Sequence, residues 1–236
     1  MIGHSTVLIE AAGMKILTDP YFGTWGNLAY KRIAPPSRTR EDLKAVDLVL
    51  LSHNHWDHTD SRYFSALAPS VPVVTRRAAA WITRLQGARN VVGLAAWQAQ
   101  QFGPVRVTAT PAYHLAIPCG FVIEAEGKAV YFAGDTYYGG FMKEIGSKFH
   151  LDLALMPVTT FRIPMTMGEK SAVRAVNALH PKTVIPIHLG IQPRSPLLRT
   201  GQTPEGFSKR LRDAGLRTET VLLREGESWS SRIAQP

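Results

Sequence analysis

Short apolar runs alternate along the chain with segments whose apolar residues recur three or four positions apart. A β-branched and leucine-rich run such as "VDLVLLS" (46–52) indicates a strand buried on both faces, whereas the longer periodic segments indicate amphipathic helices. The pattern predicts strands near 5–10, 14–18, 46–52, 71–75, 104–110, 120–126, 128–133, 151–156, 183–187 and 219–223, and helices near 59–67, 76–86, 138–147, 168–179 and 203–214.

The order of these elements predicts an α/β fold, with hairpins early in the chain and helical crossovers late. A hairpin is expected in "GFVIEAEGKAVYFAGD", because Glu126 and Gly127 form a turn between two apolar runs. Two long loops, 19–38 and 188–204, are rich in turn formers, aromatic residues and arginine, and loops of this length are often functional. No repeat or change of composition marks a boundary, so we expect a single domain over residues 1–236.

The stretch "LLSHNHWDHTD" (50–60) places several metal-ligand side chains at the exit of a predicted strand. His53 and His55 are two positions apart and can point the same way, and Asp57 and His58 follow after a bend. Neutral imidazole and carboxylate groups are ligands that zinc, manganese and iron accept. The stretch therefore predicts a metal site with two adjacent sets of ligands.

Three further candidates also follow predicted strands: His114 in "VTATPAYHLA", Asp135 in "VYFAGDT" and His188 in "TVIPIHLG". The ends of neighbouring strands meet at a sheet edge, so these side chains can reach the same place. Each residue alone has an alternative, because Asp135 could cap a turn and the two histidines could be hydrogen-bonded core groups.

The chain resembles the metallo-β-lactamase superfamily in the order of its motifs, which extend across the whole chain. These motifs are HxHxDH, then a histidine, then an aspartate within GDT, and then a second histidine. This resemblance implies a four-layered αββα sandwich with a metal site at one edge. The segments "IGHSTVLIE", "ILTDP" and "IPIHLG" are most similar to the branch that includes ascorbate-phosphate lactonase and N-acyl-phosphatidylethanolamine phospholipase D. Carried over by position, the resemblance implies that His53, His55 and His114 hold one ion, that Asp57, His58 and His188 hold the other, that Asp135 bridges them and that Asp19 supports the site.

The implied activity is hydrolysis with two divalent metal ions, zinc first and manganese or iron as alternatives. Two such ions share a water, lower its pKa and stabilise a developing oxyanion. Asp57 and Asp135 are the expected catalytic carboxylates. The substrate is a lactone or ester or a phosphodiester, and the ligands serve both chemistries. Other functions left open are nucleic-acid processing, iron-dependent oxygenation and metal binding without catalysis.

Substrate contacts are expected from His4, Arg162 and Arg194, since histidine and arginine bind anionic groups. Each arginine alone has an alternative as a solvated surface base, and His4 has one as a hydrogen-bonded histidine near the N-terminus. Arg32 is a further candidate, and Trp25, Tyr30, Trp56 and Tyr113 are candidates for an apolar wall. The chain departs from part of the similar branch at Thr166, where a histidine is often found. This departure weakens transfer of a particular substrate.

Composition adds an expected preference for an anionic, small-molecule substrate, because 27 basic residues against 18 acidic ones give a formal charge of +9. The basic residues are dispersed, which argues against a nucleic-acid stripe. Cys119 is the only cysteine, so an internal disulfide is excluded. The sequence shows no apolar run long enough for a membrane span and no export signal at its start, so we expect a cytoplasmic protein. The oligomeric state is not predicted.

Overall fold

The strands of the computed structural model, which describes residues 1–231, form two large sheets and one small ribbon. In chain order they are β1 (Leu8–Ala11), β2 (Met14–Thr18), β3 (Tyr30–Arg32), β4 (Leu48–Leu50), β5 (Pro72–Arg76), β6 (Asn90–Leu94), β7 (Ala99–Phe102), β8 (Val105–Thr110), β9 (Gly120–Ala125), β10 (Lys128–Phe132), β11 (Leu153–Pro157), β12 (Thr183–Ile187), β13 (Ile191–Pro193) and β14 (Glu219–Thr220).

The helices are short and lie between the strands. None of those in residues 1–231 has the length and apolar character that crossing a lipid bilayer requires. They are α1 (Ser61–Ala66), α2 (Ala80–Leu85), α3 (Phe141–Lys148), α4 (Glu169–Leu179) and α5 (Pro204–Asp213), with 3-10 turns at Glu41–Leu43, Arg77–Ala79 and Pro196–Leu198.

Both large sheets mix antiparallel and parallel pairs. One has the strand order β1-β2-β4-β5-β6, in which only the β1–β2 pair is antiparallel. The other has the order β14-β12-β11-β10-β9-β8-β7, in which β7 to β10 form an antiparallel meander and the remaining strands are parallel. α-Helices lie in the crossovers between parallel strands, except between β2 and β4, where the connection contains β3 and a 3-10 turn.

The central core lies between the two large sheets. Leu48 and Leu50 of β4 belong to the same buried cluster as Phe121 of β9 and Ile185 of β12. Residues two apart on a strand share a face, so the intervening Val49 points to the opposite side of its sheet. Strand β4 is therefore buried on both faces, as its β-branched and leucine-rich sequence predicted.

Two further apolar clusters lie on the outer faces of the sheets. Val49 packs in a cluster with Tyr63 of α1, and Tyr131 of β10 packs in a cluster with Ile145 of α3 and Val176 of α4. The layer order is therefore helix, sheet, sheet, helix, and the predicted αββα sandwich is confirmed. The expectation of one domain over 1–236 stays a prediction, and its last five positions lie outside the described residues.

The predicted elements are found within a few residues of their expected positions, but several strands were missed. The two long loops are not free of regular structure, because β3 in the first pairs antiparallel with β13 in the second. Strands β6 and β7 were also not predicted. The predicted helix at 76–86 begins as a 3-10 turn, and the predicted strand at 219–223 is regular only over Glu219–Thr220.

Candidate metal centre

The ligands predicted from the sequence, and the supporting Asp19, follow the carboxyl ends of strands. Asp19 follows β2, His53 follows β4, His114 follows β8, Asp135 follows β10 and His188 follows β12. In each sheet these strands point the same way, because β8 and β10 are both antiparallel to β9 and the others are parallel neighbours. The side chains consequently meet at one edge of the sandwich.

One group of possible ligands consists of His53, His55 and His114. One ring nitrogen from each lies within 4.8 Å of the others. His114 Nε2 is 3.1 Å from His55 Nδ1, and the ring centroids of His53 and His114 are 4.9 Å apart. The fold therefore brings together the three histidines that were predicted to hold one ion.

A second group contains Asp57, His58 and His188, the predicted ligands of the other ion, and also His4. Asp57 Oδ2 lies 4.0 Å from His58 Nε2 and 3.9 Å from His188 Nε2. The fourth member was not expected, because the sequence pattern places His4 outside the ligand set. Its position near the ligands follows from a contact between distant segments, since the His188 amide donates a hydrogen bond to the His4 carbonyl at 3.0 Å.

Asp135 lies between the two groups and contacts members of both. Its Oδ1 is 3.4 Å from His58 Nε2, and its Oδ2 is 3.1 Å from His188 Nε2 and 3.8 Å from His114 Nε2. The carboxylate is buried. This is the location that a carboxylate shared by two cations requires.

Several donor atoms at the centre have no hydrogen-bond partner in residues 1–231. They include His53 Nε2, His58 Nε2 and Asp135 Oδ1, all of them buried. Buried polar atoms are normally paired, because leaving one unpaired costs about 1–3 kcal/mol. The imidazole and carboxylate donors at this edge fit divalent cations, which would provide the missing partners.

Asp19 supports the ligands from behind and has its own oxygens occupied. Its Oδ1 accepts the Ser52 amide at 2.7 Å, and its Oδ2 is 2.6 Å from both Ser52 Oγ and His58 Nδ1. Ser52 Oγ is also 3.0 Å from His53 Nδ1. If the serine hydroxyl donates to Asp19, His53 Nδ1–H donates to the serine, and the Nε2 atoms of both histidines keep free lone pairs. Ser52 was not predicted from the sequence, because a serine before "HNHWDH" carries no specific signal.

We expect Asp19→Asn to weaken zinc binding by about 10- to 100-fold, because an amide has one acceptor oxygen and cannot accept from the Ser52 amide on one side and from Ser52 Oγ and His58 Nδ1 on the other. Competition with a chromophoric chelator measures the affinity. Asp47→Asn is the control, since Asp47 also accepts a backbone amide, from Lys15, but at a distance from the centre. Equal zinc affinity in the Asp19→Asn and unchanged chains would contradict this role for Asp19.

Burial and neighbouring charge divide the histidines into two electrostatic types. Burial lowers the pKa of His53 well below its usual value and lowers that of His55 and His114. Burial also opposes charge on His58, but Asp135, Asp19 and Asp57 outweigh it and hold the pKa of His58 well above its usual value. Burial therefore favours the neutral imidazole in the first group, whereas the three carboxylates favour the protonated form of His58.

The backbone around the centre adopts conformations that residues other than glycine rarely adopt. Positive φ angles occur at His4 (60°), Asp19 (34°) and His188 (63°). Such strain concentrates at functional sites, where the surrounding structure enforces it. Gly134, before Asp135, has a φ of 56°, and a Cβ there would lie 2.3 Å from Ser52 Cβ. The glycine of "GDT" therefore lets the Asp135 loop pass directly against the strand exit that carries the histidines.

A cavity of about 240 Å³ opens onto the centre. Its floor includes His55, Asp57, His114, Asp135 and His188. Its walls are mainly apolar and consist of Tyr30, Trp56, Phe161, Met165 and Ile191. Tyr30 and Trp56 were candidates from the sequence, whereas the other three wall residues were missed because their approach depends on how the two long loops pack.

The other aromatic candidates and the arginines lie elsewhere. Trp25 is 76% exposed and Tyr113 is 54% exposed, and neither lines this cavity. Arg162 is exposed, and Arg194 is exposed with its guanidinium 5.2 Å from the Trp25 ring centroid and its Nε donating to Asn27 O. The substrate-binding roles expected for these two arginines stay predictions, and this structure does not bring their side chains to the cavity.

Arg32 has a structural setting. Its Nε donates to Ala34 O, and its Nη1 donates to Tyr21 O and Gly23 O, so the buried guanidinium ties the first long loop together. Cys119 is buried, and burial raises the pKa of its thiol, which makes it unreactive.

The chain resembles known proteins along most of its length. Residues 14–189 match the family described as "Beta-lactamase superfamily domain". A "UPF0173 metal-dependent hydrolase" from Pelotomaculum thermopropionicum is 36% identical over 240 residues, covering 96% of this chain and 96% of that protein.

Solved structures with the same fold include two hydrolases. A metallo hydrolase from Ignicoccus hospitalis has a TM-score of 0.78 at 24% identity, covering 96% of this chain and 94% of that one. An isothiocyanate hydrolase from Delia radicum gut bacteria has a TM-score of 0.81 at 21% identity, covering 98% and 97%. The sequence match, the αββα layers and the cluster of metal-ligand side chains lead to one conclusion: the chain belongs to the metallo-β-lactamase superfamily and is one of its metal-dependent hydrolases.

Proposed function

We propose that the protein is a dinuclear metal hydrolase that acts on a small ester or lactone. The observation that carries this proposal is the position of Asp135, whose carboxylate contacts histidines of both ligand groups. A bridging carboxylate is needed only where two cations lie side by side. In the proposed arrangement His53, His55 and His114 would hold one ion, Asp57, His58 and His188 would hold the other, and both would share Asp135.

Two bound divalent ions, with zinc first and manganese or iron as alternatives, would supply a water of lowered pKa and an electrophilic centre for the substrate oxygen. The chain's own residues prepare this chemistry. Asp19 fixes the His58 ring directly and the His53 ring through Ser52. The carboxylates of Asp57 and Asp135 line the cavity, where they can accept a proton from the nucleophilic water and return it to the leaving group.

The walls of the cavity support a carbonyl substrate over a phosphodiester. The apolar side chains of Trp56, Phe161 and Ile191 can pack against the body of a small molecule and exclude water from the reacting bond. Among the described residues, neither lysine nor arginine lines this cavity. A phosphodiester carries a full negative charge that only the bound ions would offset in this cavity, whereas an ester or lactone carries none.

We expect the zinc- or manganese-loaded protein to hydrolyse members of a panel of aryl esters and five- and six-membered lactones, and to act on phosphodiesters much more slowly. Initial rates across the panel, measured with the metal content of the same sample, give the comparison. Asp213→Asn is the matched control variant, because Asp213 pairs with Lys209 on the surface of α5. Its rates should equal those of the unchanged protein.

Two outcomes would contradict the proposal in different ways. Faster turnover of phosphodiesters would replace carbonyl chemistry with phosphoryl chemistry at the same centre. Full metal occupancy without hydrolysis of any ester, lactone, phosphodiester or β-lactam would remove the proposed reaction altogether.

A further inference from the structure

We propose that His4 is an additional ligand of the ion held by Asp57, His58 and His188, so that the second site has three histidines and one terminal carboxylate. This proposal rests on the proposed function, because it requires an ion at that site. It concerns a residue that the ligand motifs do not include.

The first support is the position of the ring. A ligand atom of His4 lies within 4.8 Å of those of Asp57, His58 and His188. Its ring centroid is 4.2 Å from that of His188 and 5.4 Å from that of His58. The imidazole thus occupies the same cluster as the predicted ligands.

The second support is the distance from His4 Nε2 to Asp57 Oδ2, which is 3.4 Å. Adjacent donors bound to one ion at about 2.0–2.2 Å lie about 2.9–3.6 Å from one another, whether four or five donors surround the ion. A hydrogen bond from an imidazole N–H to a carboxylate would be shorter, at about 2.7–3.2 Å. The spacing therefore suits two ligands of a common ion better than a donor and its acceptor.

The third support is the burial of an imidazole that has no partners. His4 is only 2% exposed, and within residues 1–231 neither Nδ1 nor Nε2 has a hydrogen-bond partner. Buried polar nitrogens without partners are rare in native structures, and an ion would satisfy Nε2. His4 also does not line the 240 Å³ cavity, so contact with substrate is a weaker explanation for its position than contact with the ion.

The backbone is built to hold His4 at this point. Its φ of 60° is in the left-handed region, and its carbonyl accepts the His188 amide at 3.0 Å. A Cβ on Gly190 would lie 3.0 Å from both the Cβ and the backbone nitrogen of His4, so the glycine permits the close approach. The strained residue is thereby fixed directly against a predicted ligand.

The test compares two substitutions. His4→Asn tolerates a left-handed backbone and removes Nε2. His4→Gln retains a side-chain N–H that can reach toward Asp57 but provides no imidazole nitrogen. Competition with a chelator measures the zinc affinity of each site, and elemental analysis measures the zinc content. The visible spectrum of the cobalt-substituted protein reports the coordination of the ion.

We expect both variants to bind the ion at Asp57, His58 and His188 at least about 100-fold less tightly than the unchanged protein does, and to show an altered cobalt spectrum. Both should keep the far-UV circular dichroism of the unchanged protein. His180→Asn is the matched control, because His180 also has a left-handed φ, of 51°, and is exposed at the end of α4. Its metal binding should not change.

The outcomes separate this proposal from the one on which it rests. Two ions bound with unchanged affinity and spectrum in His4→Asn would overturn the role of His4 and leave the dinuclear centre intact. Recovery of affinity in His4→Gln would also overturn it, because a hydrogen-bond donor would then suffice. If the unchanged protein itself binds fewer than two ions, the dinuclear proposal fails, and the proposed role of His4 as a ligand of the second ion fails too.

Discussion

Replacement of Asp135 by asparagine is expected to reduce kcat/KM for the best ester or lactone substrate by about 10³-fold or more. Asparagine keeps the size of the buried side chain but removes the negative charge that faces His58, His114 and His188. Neither ion would then have its shared anionic ligand. Elemental analysis should show fewer than two ions per chain, and circular dichroism should show an intact fold.

Asp213→Asn provides the comparison for this substitution, since it removes a carboxylate that pairs only with surface residues of its own helix. Its kcat/KM should remain within about twofold of the unchanged protein. Undiminished turnover by Asp135→Asn with two ions still bound would show that the bridging carboxylate is not required for catalysis.

Removal of the metal is expected to cause the largest change in stability. At free zinc about 1,000 times above the dissociation constant, one bound ion contributes about 4.1 kcal/mol to the free energy of unfolding. A protein of this size gains about 2–4 °C in Tm per kcal/mol. Chelation should therefore lower Tm by about 8–16 °C for one such ion, and by more for two. Differential scanning calorimetry before and after chelation measures the change.

The Asp135→Asn variant is the control for this measurement. Because it should bind fewer ions, chelation should lower its Tm less than that of the unchanged protein. Addition of zinc to the chelated protein should restore both Tm and activity. An equal Tm with and without metal would mean that the ions do not bind the folded chain in preference to the unfolded one.

Much of the centre could be predicted because its ligands occupy strand ends that adjacent short motifs identify. His53 and His55 follow a strand of leucines and valine, and Asp135 and His188 follow similarly apolar strands. Parallel strands end at the same sheet edge, so their positions in the sequence are enough to predict that the side chains meet.

Other features depend on packing between distant segments and leave little trace in the sequence. His4 reaches the centre through a backbone hydrogen bond from His188. The polar run of β7 (Ala99–Phe102) becomes a strand by pairing at the sheet edge with β8, and β3 and β13 become strands only by pairing with each other. Arginines were expected near the substrate, but Arg32 instead binds loop carbonyls.

The most direct test of the dinuclear centre is a crystal structure of the protein grown with zinc, with anomalous diffraction recorded at the zinc edge. We expect two anomalous peaks in each chain, one among His53, His55 and His114 and one beside Asp57, His58 and His188, with Asp135 in contact with both. A single peak, or none at these side chains in a crystal that contains zinc elsewhere, would contradict it.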